Sequence, residues 1–246
     1  MSGHSKWHNI QVRKGAQDKK RATVFTKLAK AITVAAKEGG ADLNINFNLR
    51  LAVDRAKQAN MPKDNIERAI SRGAGGGGGE NLVEVIYEGK GPGNIDIIVE
   101  TLTDNKNRTA SEIKSIFTKN GGQAVAPGSA SWNFQQRGYI KLKPGEKLAS
   151  SEVERTKEEA MLEIMDLNIE DIEETNGILN VYTKPKELEK TRKEIEEKEY
   201  KIEEAELILD PKNTLKLEAE ESKKALKLLE ALDDYEDTQN VYTNME

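Results

Sequence analysis

The sequence predicts a mixed α/β fold of the α+β type: an N-terminal three-helix bundle followed by two small α+β domains, the last ferredoxin-like and inserted into the middle one. Three observations lead to this prediction. Apolar residues recur at spacings of three and four up to residue 73, strand-type segments first appear after a Gly-rich tract, and the order β-α-β-β-α-β can be followed from residue 138 to 210.

Three apolar stripes predict the bundle. The first covers residues 25–36 and stops at a Gly-Gly pair, and the second covers residues 49–56. The third follows Pro62, a residue tolerated in the first turn of a helix, and ends at Gly73. Because the stripes are rich in alanine, we expect the helices to approach closely and to bury little area each.

The tract RGAGGGGGEN at 72–81 separates the bundle from the rest of the chain. A Gly-rich tract behaves as a flexible coil, so we assign residues 1–72 to a basic arm and bundle and residues 73–81 to a linker. Its G-x-G-x-x-G match is not a dinucleotide fingerprint, because that motif needs a strand before it and a helix after it. Here the order is helix, then strand.

The middle domain changes to strand-type patterning. The predicted elements are strands at 83–89 and 95–102, a helix at 109–119 and a strand at about 130–134. Thr109 and Glu112 form the S/T-x-x-E pattern of a capping box, which places the start of the helix at Thr109.

The C-terminal half contains a ferredoxin-like series of elements followed by one more helix and strand. The predicted series is a strand at 139–143, a helix opened by Ser151 and Glu154, strands at 169–174 and 178–183, a helix led by Pro185, and a strand at 200–209. The middle domain lacks a helix and a strand to complete its sheet, and the chain end supplies one of each. We therefore predict a discontinuous domain, 82–137 plus 211–246, that carries the inserted domain 138–210.

Composition excludes several functional classes. The chain has no Cys, which excludes thiolate catalysis, Cys-ligated zinc and disulfides, and its two His, His4 and His8, lack a third metal ligand nearby. No Walker-type phosphate loop and no Ser-His-acid grouping occurs. We predict a protein that is not an enzyme and has no cofactor or metal. No apolar run approaches a membrane span and no secretory signal is recognisable, so we expect a cytoplasmic protein without a membrane partner.

Charge is strongly segregated along a chain whose formal net charge is −5. Residues 1–79 carry 15 Lys or Arg against 6 Asp or Glu, and residues 144–246 carry 15 against 30. Such asymmetry predicts a polyanionic partner for the basic end. We expect the acidic C-terminal region to be repelled by that partner and so to orient the molecule.

The candidate nucleic-acid-binding residues are cations that suit a phosphate backbone and one aromatic ring that could stack on an unpaired base. They are Lys6, Trp7, Arg13, Lys14, Lys19, Lys20, Arg21, Lys27, Lys106 and Arg108. For Trp7, packing on the bundle is an equally good interpretation. Lys106 and Arg108 are expected in the loop that leads to the helix at 109, where free N–H groups favour an anion. A small-residue loop at 121–134, which ends near Trp132, could also approach a nucleic acid closely.

Several separated motifs of the chain resemble those of the YebC family, which groups bacterial probable transcriptional regulators with mitochondrial translational activators. They are GHSKWHNI near the N-terminus, NMPKDNIERAI at 60–70, VIYEGKGPG at 85–93, TDNKNRT at 103–109 and the terminal LEALDDYEDTQNVYTN. The resemblance covers essentially the whole chain. It implies a three-domain fold with an N-terminal helical bundle and nucleic-acid binding without catalysis, through the cations of the N-terminal motif and of the TDNKNRT segment.

Three functional interpretations stay open. The family resemblance implies either a ribosome-associated factor that eases translation through difficult stretches such as consecutive prolines, or a DNA-binding transcriptional regulator. The residues themselves show no helix-turn-helix signature, and cations crowded on an arm suit ribosomal RNA better than groove recognition. The third interpretation is a protein-interaction module that acts through the acidic C-terminal region.

Overall fold

The computed structural model describes residues 18–75, 82–147 and 156–246, with side chains described for 21–75, 82–143, 156 and 158–246. The described chain contains helices and two four-stranded sheets, which confirms the predicted α+β class. Within these residues, no helix combines the length and apolar character needed to cross a membrane.

The N-terminal bundle consists of α1 (Asp18–Gly39), α2 (Phe47–Gln58) and α3 (Lys63–Gly73). Its core is formed by the stripes that predicted it, including Ile32, Leu49 and Ile66. Asn46 fixes the corner between the first two helices. Its Oδ1 accepts from the Leu49 N–H at 3.0 Å, and its Nδ2 donates to the carbonyl oxygens of Ala35 and Gly40, both at 2.7 Å.

The next elements are β1 (Val83–Lys90), β2 (Asp96–Thr103), α4 (Lys106–Lys119) and β3 (Gln123–Val125), and the chain end adds α7 (Ala219–Asp233) and β8 (Thr238–Thr243). The strand order is β3-β1-β2-β8, and all pairs are antiparallel. Helices α4 and α7 supply Phe117 and Leu228 to a core that also contains Ile97, Val99 and Val241. Residues from both sides of the inserted segment therefore share one core.

Two boundaries of this sheet domain were predicted wrongly. The short strand lies at Gln123–Val125, whereas Ser131–Asn133 form one turn of 3-10 helix before the next strand begins at Phe134. Helix α4 begins at Lys106, three residues before Thr109, because Asn105 supplies its N-cap. The Thr109 side chain is buried and bonds to other groups.

The ferredoxin-like part consists of β4 (Phe134–Lys147), α5 (Lys157–Met165), β5 (Asp171–Thr175), β6 (Ile178–Thr183), α6 (Leu188–Glu197) and β7 (Tyr200–Pro211). The strand order β5-β6-β4-β7 is that of a ferredoxin-like sheet. The predicted helix start at Ser151 lies outside the described residues. The described helix begins at Lys157, and Thr156 and Glu159 form its capping box.

The chain divides into two compact units. The first contains the described parts of Met1–Gln135 together with Asp210–Glu246, and the second is Gln136–Leu209. The helical bundle and the sheet domain therefore belong to the same compact unit, the first one.

Candidate nucleic-acid interface

Helix α1 carries the end of the predicted basic arm. Lys6, Trp7, Arg13 and Lys14 lie outside the described residues. Lys19 and Lys20 lie in the first turn of α1, and their side chains are likewise outside the described set. Arg21 is exposed on the same helix. The basic segment therefore leads directly into a helix that is anchored in the first unit.

Lys27, a candidate contact on α1, is bound inside the first unit. Its ammonium donates to the backbone carbonyl of Asp233 at the end of α7 and lies 3.6 Å from the Asp233 carboxylate, with only 14% of the side chain exposed. Burial lowers the pKa of the Lys27 ammonium, and the negative charges of Asp233 and Asp234 oppose this effect only in part. Lys27 thus holds α1 against the end of α7.

A buried carboxylate, Asp237, joins α1 to the sheet domain. Lys30, one turn beyond Lys27, donates to Asp237 Oδ1. Arg108 of α4 donates to Asp237 Oδ2 at 3.0 Å. Thr109 and Tyr235 donate their hydroxyls to the same Oδ2 at 2.7 and 3.0 Å. The Asp237 side chain is 0% exposed, so each of its oxygens depends on these donors for the hydrogen bonds that water would otherwise supply.

The donors around Asp237 keep it charged. Burial alone raises the pKa of this carboxyl, but the hydrogen bonds from Lys30, Thr109 and Arg108 lower it more, and the net pKa lies well below the ordinary value of aspartic acid. We expect the acidic C-terminal region to be repelled by a polyanionic partner. Two of its carboxylates, those of Asp233 and Asp237, also bind basic residues of α1.

The first turn of α4 carries the second group of candidate cations. Lys106 and Arg108 lie within the helix and not in the loop before it, and Asn105 Oδ1 accepts from the Arg108 N–H at 3.1 Å. Lys106 is exposed. The Arg108 side chain is 44% exposed and also binds Asp104 at 2.8 Å. Of the two cations, Lys106 is therefore the less constrained, and Arg108 mainly fixes the junction.

The structure links α1 to one member of the second candidate group, Arg108, through a residue outside the candidate set, Lys30. Lys30 on α1 and Arg108 on α4 bind opposite oxygens of the same carboxylate, although 78 residues separate them in the chain. Arg21 lies about 14 Å from Lys30 along the helix axis, from the rise of 1.5 Å per residue. Nine residues at about 100° each place Arg21 on the face of α1 opposite Lys30, so the junction at Asp237 fixes α1 without placing Arg21 beside α4.

Family models match nearly the whole chain. The model for the TACO1/YebC protein N-terminal domain matches residues 5–76, and the model for the TACO1/YebC second and third domain matches residues 82–245. The chain belongs to the TACO1/YebC family. The few residues between the two matches lie in the Gly-rich tract.

Relatives of this TACO1/YebC family member span its full length. A probable transcriptional regulatory protein of Natranaerobius thermophilus is 45% identical over 246 residues, covering 100% of this chain and 96% of its own length. One of Bacillus licheniformis is 44% identical over 245 residues, with 100% of both chains covered. The crystal structure of a conserved hypothetical protein from Aquifex aeolicus matches with a TM-score of 0.83 at 38% identity, over 93% of this chain and 91% of that one.

A second polar centre in this TACO1/YebC family member involves Glu88, which sequence reasoning missed. Its carboxylate accepts from the backbone N–H groups of Gly128, Ala130 and Ser131 at 2.7, 2.6 and 3.0 Å. Burial raises the pKa of Glu88, but these three hydrogen bonds outweigh it, and the net pKa lies below the ordinary value. We call residues 126–132, which this carboxylate holds against β1, the Trp132 loop.

Replacing Glu88 with Gln is expected to lower the free energy of unfolding of the first unit by about 2 kcal/mol, because an amide offers one acceptor oxygen and turns its NH₂ toward the donors. The folded-state pKa is lowered, so this stabilisation is present above the unfolded-state pKa of about 4.3 and is lost as pH falls through the folded-state pKa. Urea denaturation at several pH values measures the difference. Glu84→Gln, an exposed position on the same strand, is the control; equal effects of the two variants contradict the assignment.

Proposed function

We propose that this chain is a non-enzymatic, nucleic-acid-binding regulator of gene expression that associates with the ribosome through ribosomal RNA and eases elongation through difficult stretches such as consecutive prolines. The observation that carries the proposal is the junction at Asp237, where α1 and the first turn of α4 meet. Through it, the helix that continues the basic N-terminal segment is joined to the helix whose first turn carries a second, exposed cation, Lys106.

The internal ion pairs indicate which candidate cations remain available to contact nucleic acid. Lys27 forms an ion pair with Asp233, and Lys30 forms one with Asp237. In this proposal both residues hold α1 in position and do not contact phosphate. The proposed contacts are Lys6, Trp7, Arg13, Lys14, Lys19, Lys20, Arg21 and Lys106. Point charges at approximate spacing suffice for a sugar-phosphate backbone, and this holds for structured RNA as well as for duplex DNA.

Transcriptional regulation through DNA is the second candidate function, and the names of the curated relatives favour it. Base recognition in duplex DNA usually requires a helix that presents hydrogen-bonding side chains to the major groove. The cations of this chain gather instead at a helix start and its preceding segment. This arrangement suits the irregular surface of ribosomal RNA, which is recognised by shape, phosphate contacts and stacking.

Neutralising the basic segment is expected to weaken nucleic-acid binding and to make it less sensitive to salt. The variant carries Gln at Arg13, Lys14, Lys19, Lys20 and Arg21. If all five contact phosphates of duplex DNA, the slope of log affinity against log salt should become shallower by about 4.5. The measurement is co-sedimentation with ribosomes over a salt series, beside binding to random-sequence duplex DNA. Binding to ribosomes should fall in parallel.

The control variant removes the same charge from the second unit. It carries Gln at the exposed Lys184, Lys186, Lys190, Lys193 and Lys201, and its salt dependence should equal that of the wild type. An unchanged salt slope in the arm variant contradicts the proposal. Wild-type affinity for ribosomes far above that for duplex DNA supports the translational function, whereas a sequence-dependent preference among duplexes supports the transcriptional one.

A further inference from the structure

The Trp132 loop presents a large aromatic ring to solvent. Trp132 is 59% exposed, and Ser131 before it is exposed as well, whereas Ala130 and Asn133 are buried. Burying an indole is strongly favourable, so an exposed ring on a loop whose neighbours point inward suggests a contact surface. The surrounding positions 126–129 are small or polar and also exposed, which leaves the ring accessible.

Buried hydrogen bonds hold the Trp132 loop rigidly. The buried Glu88 carboxylate fixes three of its backbone N–H groups. Next to the ring, the Asn133 side chain donates to Asp96 Oδ2 at 3.0 Å and accepts from the Asn213 N–H at 3.1 Å. A ligand that binds the ring therefore does not need to order the loop, and little of the binding free energy is lost to conformational entropy.

The polar edge of the indole is already occupied. Trp132 Nε1–H donates to the Ser129 carbonyl oxygen of the same loop at 3.1 Å. Indole has no other hydrogen-bonding atom, so the remaining surface of the side chain consists of its apolar faces and edges. A ligand is therefore recognised by stacking, and a flat aromatic ring is the partner that stacks best.

A cation is bound to the backbone of the same residue. The exposed Lys212 donates through Nζ to the Trp132 carbonyl oxygen at 3.0 Å. An ammonium group has three donors, and the Trp132 carbonyl uses one of them, which leaves donors for a phosphate. An exposed aromatic side chain on a residue whose backbone binds a lysine matches a nucleotide, whose base stacks while its phosphate is bound, better than it matches an apolar protein surface.

We propose that Trp132 is a stacking site for an unpaired nucleobase, with Lys212 binding the adjacent phosphate. This inference rests on the proposed nucleic-acid-binding function and adds a contact outside the basic arm. Strand β2 separates this stacking site from the Asp237 junction. At its first residue, Asp96 accepts from Asn133, and at its last residue, Thr103 accepts from Thr109 of the junction. Eight strand residues span on the order of 24 Å, so the stacking site and the junction can be altered independently.

The test uses the full-length chain with Trp7→Phe, which leaves Trp132 as the one tryptophan of the sequence. Its fluorescence should be quenched by a short oligouridylate and not by duplex RNA, since paired bases cannot stack on the ring. In the wild-type background, Trp132→Ala should weaken oligouridylate binding about 5- to 150-fold, measured by fluorescence anisotropy of labelled RNA. Trp132→Phe should retain most of the affinity, and duplex binding should not change in either variant.

The outcomes separate the two proposals. If oligouridylate binds but the Trp132 signal does not change and Trp132→Ala binds equally well, the stacking site is overturned and the proposed function stands. If neither RNA binds the wild type, the proposed function itself is overturned, and the stacking site with it. If Trp132→Ala loses ribosome binding while its oligouridylate affinity is unchanged, the ring binds a protein and the nucleobase assignment is wrong.

Discussion

Replacing Asp237 with Asn is expected to lower the free energy of unfolding of the first unit by about 3 kcal/mol, at the lower end of the cost of breaking a buried ion pair. The carboxylate is fully buried and accepts from Lys30, Arg108, Thr109 and Tyr235. An amide in its place turns an NH₂ group toward donors and leaves two cations without their charge partner. Arg108 retains Asp104, which limits the loss.

Urea denaturation in the Trp7→Phe background, followed by the fluorescence of Trp132, measures this loss, because Trp132 lies in the same compact unit as Asp237. Glu236→Gln is the matched control, since it removes one negative charge from the adjacent, exposed position. A double-mutant cycle with Lys30→Met should show a coupling free energy of about 0.5 to 3 kcal/mol between the two residues. Equal denaturation midpoints for Asp237→Asn and Glu236→Gln would contradict the structural role of Asp237.

The stability difference between wild type and Asp237→Asn should depend on pH. The folded-state pKa of Asp237 is lowered, so the folded chain holds this site deprotonated at pH values where the unfolded chain binds a proton. The stabilisation is therefore fully present above the unfolded-state pKa of about 3.9 and decreases as pH falls toward the folded-state pKa. A pH series of urea denaturation curves for both variants measures this effect, and a difference that grows on acidification would falsify it.

The elements of this fold were largely predictable because their signals are local. Each signal lies within one short window of sequence. These signals are the apolar stripes of α1, α2 and α3, the β-branched run of β2 and the final strand at 238–243. The start of α4 shows the limit of such signals. The segment TDNKNRT offers several residues that can cap a helix, and the structure uses Asn105 because the Thr109 hydroxyl is bonded to Thr103 and Asp237.

The candidate interface was less predictable, because charge counts do not show which cations are neutralised inside the protein. Lys27 and Lys30 belong to the same basic series as Arg21, yet their partners stand about two hundred residues later in the chain. Asp233 and Asp237 lie in the terminal LEALDDYEDTQNVYTN motif, which marked family membership without revealing this role. Glu88 had no local signal, since its three donors are brought to it by the turn of the Trp132 loop.

Replacing Phe117 with Ala is expected to destabilise the first unit by about 3 to 5 kcal/mol. Phe117 is fully buried in the core that α4, α7 and the sheet share. The ring fills the space above Gly89, where an added methyl group would lie 2.2 Å from a ring carbon. Because the ring is tightly packed, a small shift of the structure cannot close the cavity that Phe117→Ala leaves. The loss of unfolding free energy should therefore lie within the range for large aromatic truncations.

This variant also tests the proposal that residues 82–137 and 211–246 form one discontinuous domain. Phe117 precedes the inserted segment, whereas Leu228 and Val241 of the same core follow it. If the two segments unfold together, Phe117→Ala should accelerate amide hydrogen exchange in β1 and β2 and equally in β8. The amides of β6, in the second unit, should keep their wild-type rates.

The matched control is Leu179→Ala on β6, a fully buried position of the second unit, whose truncation should cost about 2 to 5 kcal/mol. It should accelerate exchange in β5 and β6 and leave β2 and β8 unchanged, the reverse of the Phe117→Ala pattern. Faster exchange in β2 without faster exchange in β8 would show that the C-terminal strand unfolds separately, although β2 and β8 are hydrogen-bonded neighbours. Faster exchange in both sheets for either variant would show that the two compact units are one cooperative structure.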